Sequence, residues 1–506
     1  MTDVPAAPVS TRLRAWLDMD PAGAREGLGR HEYDGVVADL SPAAVAERLA
    51  RLGTGPVPSD ALDAALLAAA EEGARVVYGE LAMPRWNPLL LLNGLDLACY
   101  DREYAPPAQR AQARATQLSA WPAAVDAALA SLDAVPAPVA TALLPAVLGL
   151  SAGVSDPVPL AALGRLVTLV EDAAERGAPS AALGADGLAR VLGAAQAKPV
   201  SLDALASAAA AERDRLRALL DDACEQLRPG VGVADVVAEL LDDHPSTAEE
   251  IYAEARTQVH EVTAFTVERE LLPPLDGECL VGPAPASRSW AMAMMSWAAP
   301  YESDAPSWYH VTPPDPSWPA RQQQEWLAVF SRTTLPAITV HEVTPGHFAH
   351  GRLLRRAGSH ERRCCLSEAF VEGWAHYVEE LFVEEGFRAG DPRFAIGVMI
   401  EALVRVTRLA VSIGVHADGM SVEDGARRFV EDAFLRGEAA RSEAQRATFD
   451  PTYGRYTWGK LEIRAARERA RQRWGPGYSH RRFHEALLAA GAPPLGLLDT
   501  CVAAAG

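Results

Sequence analysis

Cysteine is scarce in this sequence, and the six cysteines among 506 residues form no Cys-x-x-Cys pair. They are Cys99, Cys224, Cys279, Cys364, Cys365 and Cys501. A disulfide framework or a thiolate zinc site would require cysteines paired at short spacing, so neither is expected. We interpret the adjacent Cys364 and Cys365 as small buried residues.

Positive charge is also in short supply, since 47 Lys and Arg residues face 67 Asp and Glu residues, which leaves a formal net charge of -20. This balance opposes a nucleic acid or an anionic membrane surface as a partner. A peptide or a small molecule, especially a cationic one, is the better candidate for a substrate. The simpler interpretation, that the acidic surplus only maintains solubility, stays open.

Long apolar runs are absent as well. No run of eighteen uncharged apolar residues occurs, and residues 1–8 (MTDVPAAP) lack the basic and apolar regions of a secretory signal. The sequence therefore predicts a cytoplasmic protein with no membrane partner. No pattern in the sequence indicates an oligomeric state.

Aromatic residues make up only 7% of the chain, whereas 49% of the residues are hydrophobic and many of these are Ala and Leu. Such a composition favours helices over strands. Because the chain is too long for one ordinary core, we predict a mainly α, large multi-helix fold around a central cleft, with at most a small β element. An N-terminal helical scaffold lobe (1–245) is expected to precede a helical catalytic lobe (246–506).

Helical patterns cover both halves of the chain. They are 41–53, 58–79, 107–132 and 201–228 in the first half, then 319–333, 336–356, 364–386, 393–416, 421–438, 456–474 and 480–490. Ser41 and Ser201 are predicted N-caps, and Gly53 is a predicted C-terminal stop. The segment 272–318 is rich in Pro, Gly and aromatics, which predicts an irregular stretch with a short strand or two.

Three residues of that stretch, Trp308, Tyr309 and His310, are candidates for lining a cleft. Long irregular segments inside compact domains often face a substrate. An ordinary connecting loop packed by its own aromatics explains the same pattern.

Three of the twelve histidines fall within residues 341–350, in the stretch PAITVHEVTPGHFAH (336–350). Neutral imidazoles suit zinc, and a glutamate directly after the first histidine can reach a metal-bound water that it must deprotonate. His341 and His347 are therefore candidate metal ligands, and Glu342 is the candidate base.

The histidine spacing differs from the common His-Glu-x-x-His motif, in which the ligands lie four residues apart on one helix face. Here the second histidine comes six residues after the first, about 120° away on a regular helix. Pro345 and Gly346 must interrupt that helix, with Thr344 as a candidate N-cap and Pro345 at the first position of a new helix. Either a bulge or a restart would bring His347 back to the metal.

A second segment, LSEAFVEGWAHYVEELFV (366–383), places Glu368, Glu372 and His376 on one helix face at intervals of four residues. A glutamate from a following helix would complete a His-His-Glu hydrolytic site and leave the fourth metal position open. A solvated acidic face is the alternative, but the neighbouring aromatics indicate a buried segment.

These segments resemble a bacterial family known as domain of unknown function 885, whose signature is His-Glu-x-x-Pro-Gly-His followed by Glu-Gly-Trp-Ala. In this sequence they read HEVTPGH (341–347) and EGWA (372–375). The resemblance continues in 405–419, 456–464 and 483–495 and is weak before about residue 250.

The resemblance implies a largely helical, zincin-like fold and Zn²⁺ as the cofactor. His341, His347 and Glu372 match the metal ligands of the family, and Glu342 matches the base.

Two positions depart from the family pattern: His350 stands where Gln is usual, and Ser412 stands where Asp precedes Ile-Gly-x-His. These departures bear on the substrate more than on the metal. We assign substrate binding to His350, His310 and His376.

Hydrolysis through a tetrahedral intermediate needs donors for the developing oxyanion. Tyr456, Lys460 and Arg464 follow one another at intervals of four residues and offer a phenol, an ammonium and a guanidinium. His416 is a fourth candidate. A buried tyrosine and a solvated basic stripe are the structural alternatives, and His484 is interpreted as a core histidine.

The residues together predict a zinc-dependent hydrolase that cleaves an amide bond in a peptide or peptide-like substrate. A non-haem iron enzyme remains an alternative, because two histidines and one carboxylate also form the iron site of that class. Glu342 favours zinc, since iron chemistry needs no base there. A non-catalytic metal-binding scaffold is the third reading.

Overall fold

Helices dominate the computed structural model, which describes residues 8–285, 288, 291–302 and 305–505. The α-helices up to residue 268 are α1 Thr11–Leu17, α2 Pro21–Glu26, α3 Pro42–Arg51, α4 Ala61–Ala74, α5 Leu89–Leu95, α6 Pro107–Leu129, α7 Ala137–Gly149, α8 Pro157–Arg176, α9 Gly184–Ala194, α10 Leu202–Leu227, α11 Val233–Asp242 and α12 Ala248–Glu268. Those that follow are α13 Ala320–Leu327, α14 Leu335–Glu342, α15 His347–Leu354, α16 His360–Cys364, α17 Glu368–Glu384, α18 Arg393–Ala417, α19 Val422–Ala433, α20 Gly437–Phe449, α21 Arg455–Trp474, α22 His480–Leu488 and α23 Leu498–Ala504. The prediction of a mainly α fold with a small β element is confirmed.

The helix ends follow the local signals in the sequence. Ser41 accepts a hydrogen bond from the Ala44 amide, and Ser201 accepts one from the Ala204 amide, so both predicted N-caps are confirmed. Gly53 lies just beyond the end of α3 with a φ of 80°, where a side chain would be strained. The helical pattern over 336–356 forms two helices, α14 and α15, with a break between them at the Pro-Gly interruption expected from the sequence.

A three-stranded sheet lies between α12 and α13. Its strands are β1 Cys279–Pro283, β2 Ala293–Ser296 and β3 Ser307–Val311. The order is β1-β3-β2, with β3 parallel to β1 and antiparallel to β2. The sequence predicts one or two short strands in 272–318, and the described residues of this segment form three. Strand β2 lies at an edge of the sheet and packs against α14.

The largest hydrophobic cluster surrounds α14, α17, α18 and α21. It takes in Val236 and Leu241 from α11 as well as Ile251 and Val262 from α12, so buried packing continues across residue 245. The division into two lobes stays a prediction.

Three smaller clusters support the N-terminal half, the smallest of them formed by Met19, Leu52 and Ala74. The largest of these contains residues of the four helices α5, α6, α7 and α8. Another packs α1 and α4 against Cys364 and Cys365. Both cysteines are buried and free, as expected.

No helix of the described residues has the length and apolarity needed to cross a membrane. Residues 1–7, which contribute to the predicted cytoplasmic location, lie outside the described residues.

Candidate metal centre

His341, His347 and Glu372 converge at the centre of the fold. His341 lies near the end of α14, His347 begins α15 and Glu372 lies on α17. The Nε2 atoms of both histidines are 3.4 Å from Glu372 Oε2, and one ligand atom from each residue lies within 4.8 Å of the others. These three residues form a group that could hold a metal ion.

The break between the two histidines brings them together. Helix α14 ends at Glu342, and α15 starts at His347 with Gly346 as its N-cap. A Cβ atom on Gly346 would lie 1.8 Å from the His341 carbonyl oxygen, so only glycine fits there. The helix restarts as predicted, but two residues later than the predicted cap at Thr344 and first turn at Pro345, which is a correction.

Helix α17 holds Glu372 in place through a close crossing with α21. A Cβ atom on Gly373 would lie 2.5 Å from the Gly459 Cα, and one on Gly459 would lie 1.9 Å from the Ala369 carbonyl oxygen. The two helices approach this closely because both lack a side chain at the crossing. The glycine of the Glu-Gly-Trp-Ala motif therefore positions Glu372.

A buried carboxylate orients His341. His341 Nδ1 lies 2.6 Å from Glu379 Oε1, and Arg405 lies 3.3 Å from the same oxygen. Burial alone would raise the pKa of Glu379, but Arg405, His341 and His376 lower it. A carboxylate that accepts from Nδ1 directs the histidine's Nε2 lone pair toward a metal.

Glu342 lies beside this group with its side chain almost fully buried. Burial raises the pKa of its carboxyl to about 7, with a smaller raising effect from Glu372 that His347 opposes. Its Oε2 has no hydrogen-bond partner among the described residues.

The donor set fits a zinc ion. Two imidazole nitrogens and one carboxylate oxygen are the ligands of catalytic zinc sites that leave one position open. Glu372 Oε2 is buried and has no hydrogen-bond partner among the residues described, although both imidazoles face it. Because buried polar atoms rarely stay unpartnered, an ion between these side chains would complete the site.

A cavity of about 280 Å³ opens over the three ligands and Glu342. Tyr456 lies in its wall, with its ring centroid 6.3 Å from that of His341. Arg446 donates to the Tyr456 hydroxyl at 3.3 Å, and residues of the edge strand β2 also line the cavity.

Two of the predicted oxyanion donors point elsewhere. Lys460 Nζ lies 2.8 Å from both Glu212 and Glu380, and Arg464 lies 3.0 Å from Glu380. Steps of four residues drift by about 40° around a helix, so Lys460 and Arg464 turn from Tyr456 toward α10 and α17. Of these three residues only Tyr456 lines the cavity, so the expectation that all three share one face toward the site is corrected, and the donor role of Tyr456 stays a prediction.

His416 also lies away from the cavity. Its Nε2 donates to the Ala447 carbonyl at 2.8 Å, and its side chain is buried. This histidine joins α18 to α20 instead of facing the ligands. His484 is a buried histidine that donates to the Leu271 carbonyl, as interpreted from the sequence.

None of the three histidines assigned to substrate binding lines the cavity over the ligands. His350 is fully buried and donates to the Gly491 carbonyl at 2.9 Å, and burial lowers its pKa to about 4. His376 faces Glu379 behind the ligands, and His310 binds the Pro283 carbonyl within the sheet. His350 and His310 are hydrogen-bonded to backbone carbonyls, whereas His376 only approaches Glu379 at 3.5 Å, and all three lie outside the cavity.

Sequence reasoning missed Glu379 and Arg405. Glu379 follows Glu372 by seven residues, two helical turns that keep it on the same face, so this spacing was a usable signal. Nothing local indicates that Arg405 on α18 would reach it.

A family model described as a bacterial protein of unknown function (DUF885) matches residues 156–502. No curated protein matches the sequence. Two solved structures share the fold, and both are described, provisionally, as lipoproteins. The one from Shewanella oneidensis, of unknown function, has a TM-score of 0.75 and 19% sequence identity. The match covers 96% of this chain and 97% of that protein's chain. The one from Colwellia psychrerythraea has a TM-score of 0.75 at 17% identity, covering 98% and 99%.

Proposed function

The chain belongs to the DUF885 family of bacterial proteins, and from this premise we propose that it is a zinc-dependent hydrolase, with a zincin-like active site, that cleaves an amide bond in a peptide or peptide-like substrate. The observation that carries the proposal is the position of Glu342. Its buried carboxylate adjoins the His-His-Glu group, faces the same cavity and has no other partner among the described residues.

His341, His347 and Glu372 would hold the metal. A zinc ion held there would supply Lewis-acid activation of a water molecule and of the substrate carbonyl. Glu379 keeps His341 in the orientation that presents Nε2, and its charge is in turn held by Arg405.

Glu342 acts as the general base. Its Oε2 accepts a proton from the attacking water and passes it to the nitrogen of the leaving amine. A carboxyl whose pKa lies near 7 accepts and releases a proton readily at neutral pH.

Tyr456 supplies the donor for the oxygen on which negative charge develops. Its hydroxyl is oriented by Arg446 at 3.3 Å, and the guanidinium of Arg408 lies 4.7 Å from its ring centroid. Burial raises the pKa of this phenol, and the positive charges of Arg446 and Arg408 oppose that rise and so favour donation to an oxyanion.

A peptide is favoured as the substrate class by the edge strand. Strand β2 pairs with β3 on one side and runs along the cavity wall. An extended peptide can add to such an edge through main-chain hydrogen bonds.

The compartment is a separate part of the proposal. The two structural relatives are described, provisionally, as lipoproteins, which favours a place at the cell envelope over the predicted cytoplasm. Fractionation of cells that express the natural gene, followed by immunodetection, distinguishes the two.

The test of the proposed function separates base from ligand. Glu342→Gln keeps the side chain's shape but cannot accept a proton, so zinc content and melting temperature should stay near the parent's while turnover falls by about 10²- to 10⁴-fold. His341→Ala is the contrasting variant, because it should lose the zinc itself. All three quantities are measured on one preparation of each variant, with a peptide library as substrate.

Each other outcome has a meaning. Retained turnover in Glu342→Gln would assign the base to another residue, and lost zinc would make Glu342 structural. Iron at full occupancy, with the zinc form inactive, would support the iron enzyme. Zinc binding without cleavage of any library peptide would support the non-catalytic scaffold.

A further inference from the structure

A second cavity, of about 490 Å³, adjoins the one over the metal ligands. It lies between the N-terminal helices α1, α2 and α4 and the start of α17, and its walls are mostly apolar, with Leu17, Leu66 and Val77 among them. Trp297 and Glu368 line both cavities. A substrate bound at the metal can therefore extend past these two residues into an apolar space.

Glu368 is the first residue of α17 and lies one turn before the ligand Glu372. Its side chain is exposed at the junction of the cavities. The guanidinium of Arg455 attracts its carboxylate, but among the residues that the structure describes no hydrogen bond or ion pair joins the two. A carboxylate in this position is available to a ligand.

The positive groups of the same walls are already paired. Arg405 binds Glu401, Arg408 binds Glu443 at 2.7 Å and Arg455 binds Asp450 at 2.7 Å. A negatively charged ligand would have to break one of these pairs, whereas a cation would meet the unpaired carboxylate of Glu368. The walls thus favour a positively charged group beside the metal ligands.

We propose that Glu368 binds the free α-amino group of the substrate and that the second cavity holds the large apolar side chain of the same residue. This inference rests on the proposed function and makes the enzyme an aminopeptidase. Water adds its hydroxyl to the carbonyl carbon of the first residue, the C–N bond to the second residue breaks, and the leaving amine takes a proton.

The distances agree with this arrangement. Four residues along a helix span about 6 Å. In an N-terminal residue, two bonds of about 1.5 Å join the carbonyl carbon to the amine nitrogen, and a hydrogen bond adds about 2.8 Å. When Glu368 holds the α-amine of the N-terminal residue, the carbonyl of that residue therefore lies beside Glu372. The side chain of the same residue then branches toward the second cavity.

Binding is measured first, because it does not depend on catalysis. We compare the zinc-loaded parent protein with phenylalaninol and with N-acetyl-phenylalaninol by calorimetry. The acetyl group removes the positive charge, and loss of a charge-assisted hydrogen bond should weaken binding by about 10- to 100-fold. Glu368→Gln should bind both compounds equally weakly, whereas the control Glu361→Gln, a nearby glutamate outside both cavities, should behave as the parent does.

Selectivity is measured second. Ala70 lines the second cavity, and Ala68 on the same helix is exposed to solvent. Ala70→Phe should lower kcat/KM for peptides that begin with Phe by at least about 10-fold relative to those that begin with Ala, because the new ring fills the space. Ala68→Phe should leave that ratio unchanged.

The outcomes separate this inference from the hydrolase itself. If blocked and free peptides are cleaved at equal rates, the amine site is overturned and the hydrolase stands. If no peptide is cleaved but phenylalaninol binding depends on Glu368, the hydrolase is overturned and the amine site stands. Equal binding of both alcohols by the parent protein refutes the amine site without any variant.

Discussion

Replacing Glu379 by Gln is the sharpest test of how the metal centre is built. The change keeps the size of the side chain but removes the charge that faces His341 Nδ1 at 2.6 Å and Arg405 at 3.3 Å. Loss of such an orienting partner typically weakens metal binding by about 10- to 100-fold, or about 1.4 to 2.7 kcal/mol. Because Glu379 is fully buried and binds a ligand directly, we expect the upper part of this range.

The substitution should also lower the free energy of unfolding. Removing one partner of a buried ion pair costs about 3 to 5 kcal/mol, and the lower value applies because Arg405 keeps Glu401 at 2.9 Å. Zinc affinity is measured by competition with a chelator, and stability by denaturant unfolding of the metal-free protein.

A matched control lies on the same helix. Glu384→Gln removes a carboxylate that pairs with Arg467 at 2.7 Å, outside the cavity over the ligands, and should leave zinc affinity within about 2-fold of the parent's. An unchanged zinc affinity in folded Glu379→Gln, or equal losses in both variants, would refute the orienting role.

Three further predictions concern the ligands, the donor and a buried charge cluster. Glu372→Ala should lose zinc on dialysis while Glu368→Ala keeps it, and the reverse ranking in metal analysis would move the third ligand one turn back. Tyr456→Phe should keep zinc and melting temperature but lower turnover by about 10²- to 10³-fold, and an unaffected rate would make Tyr456 structural. Despite burial, Arg215 and Lys460 lower the pKa of Glu212 to about 2, so its contribution of about 3 kcal/mol is present above pH 5 and is lost as the pH falls toward 2. Lys460→Met should reduce this acid dependence in unfolding experiments, and an unchanged pH profile would contradict the pairing.

The sequence by itself determined the fold class and the residues that converge on the candidate metal centre. Helix propensity, capping serines and the Pro-Gly interruption act within a few residues of chain, so Ser41, Ser201 and the break before His347 could be predicted. The choice of His341 and His347 follows from their chemistry and their short spacing, and the choice of Glu372 follows from the resemblance of its Glu-Gly-Trp-Ala segment to the family signature.

Only the tertiary structure decided which charged groups meet. Lys460 is directed away from Tyr456 because Glu212 on α10 and Glu380 on α17 lie beside it, and no local pattern states how those helices pack. Arg405 contacts Glu379 because α18 packs beside α17, which no local pattern predicts either. A buried charge is stable only beside an opposite charge, and helix packing decides which opposite charge lies beside it. The structural role of Lys460 and the place of Glu379 at the metal centre therefore depend on contacts between helices that are distant in the sequence.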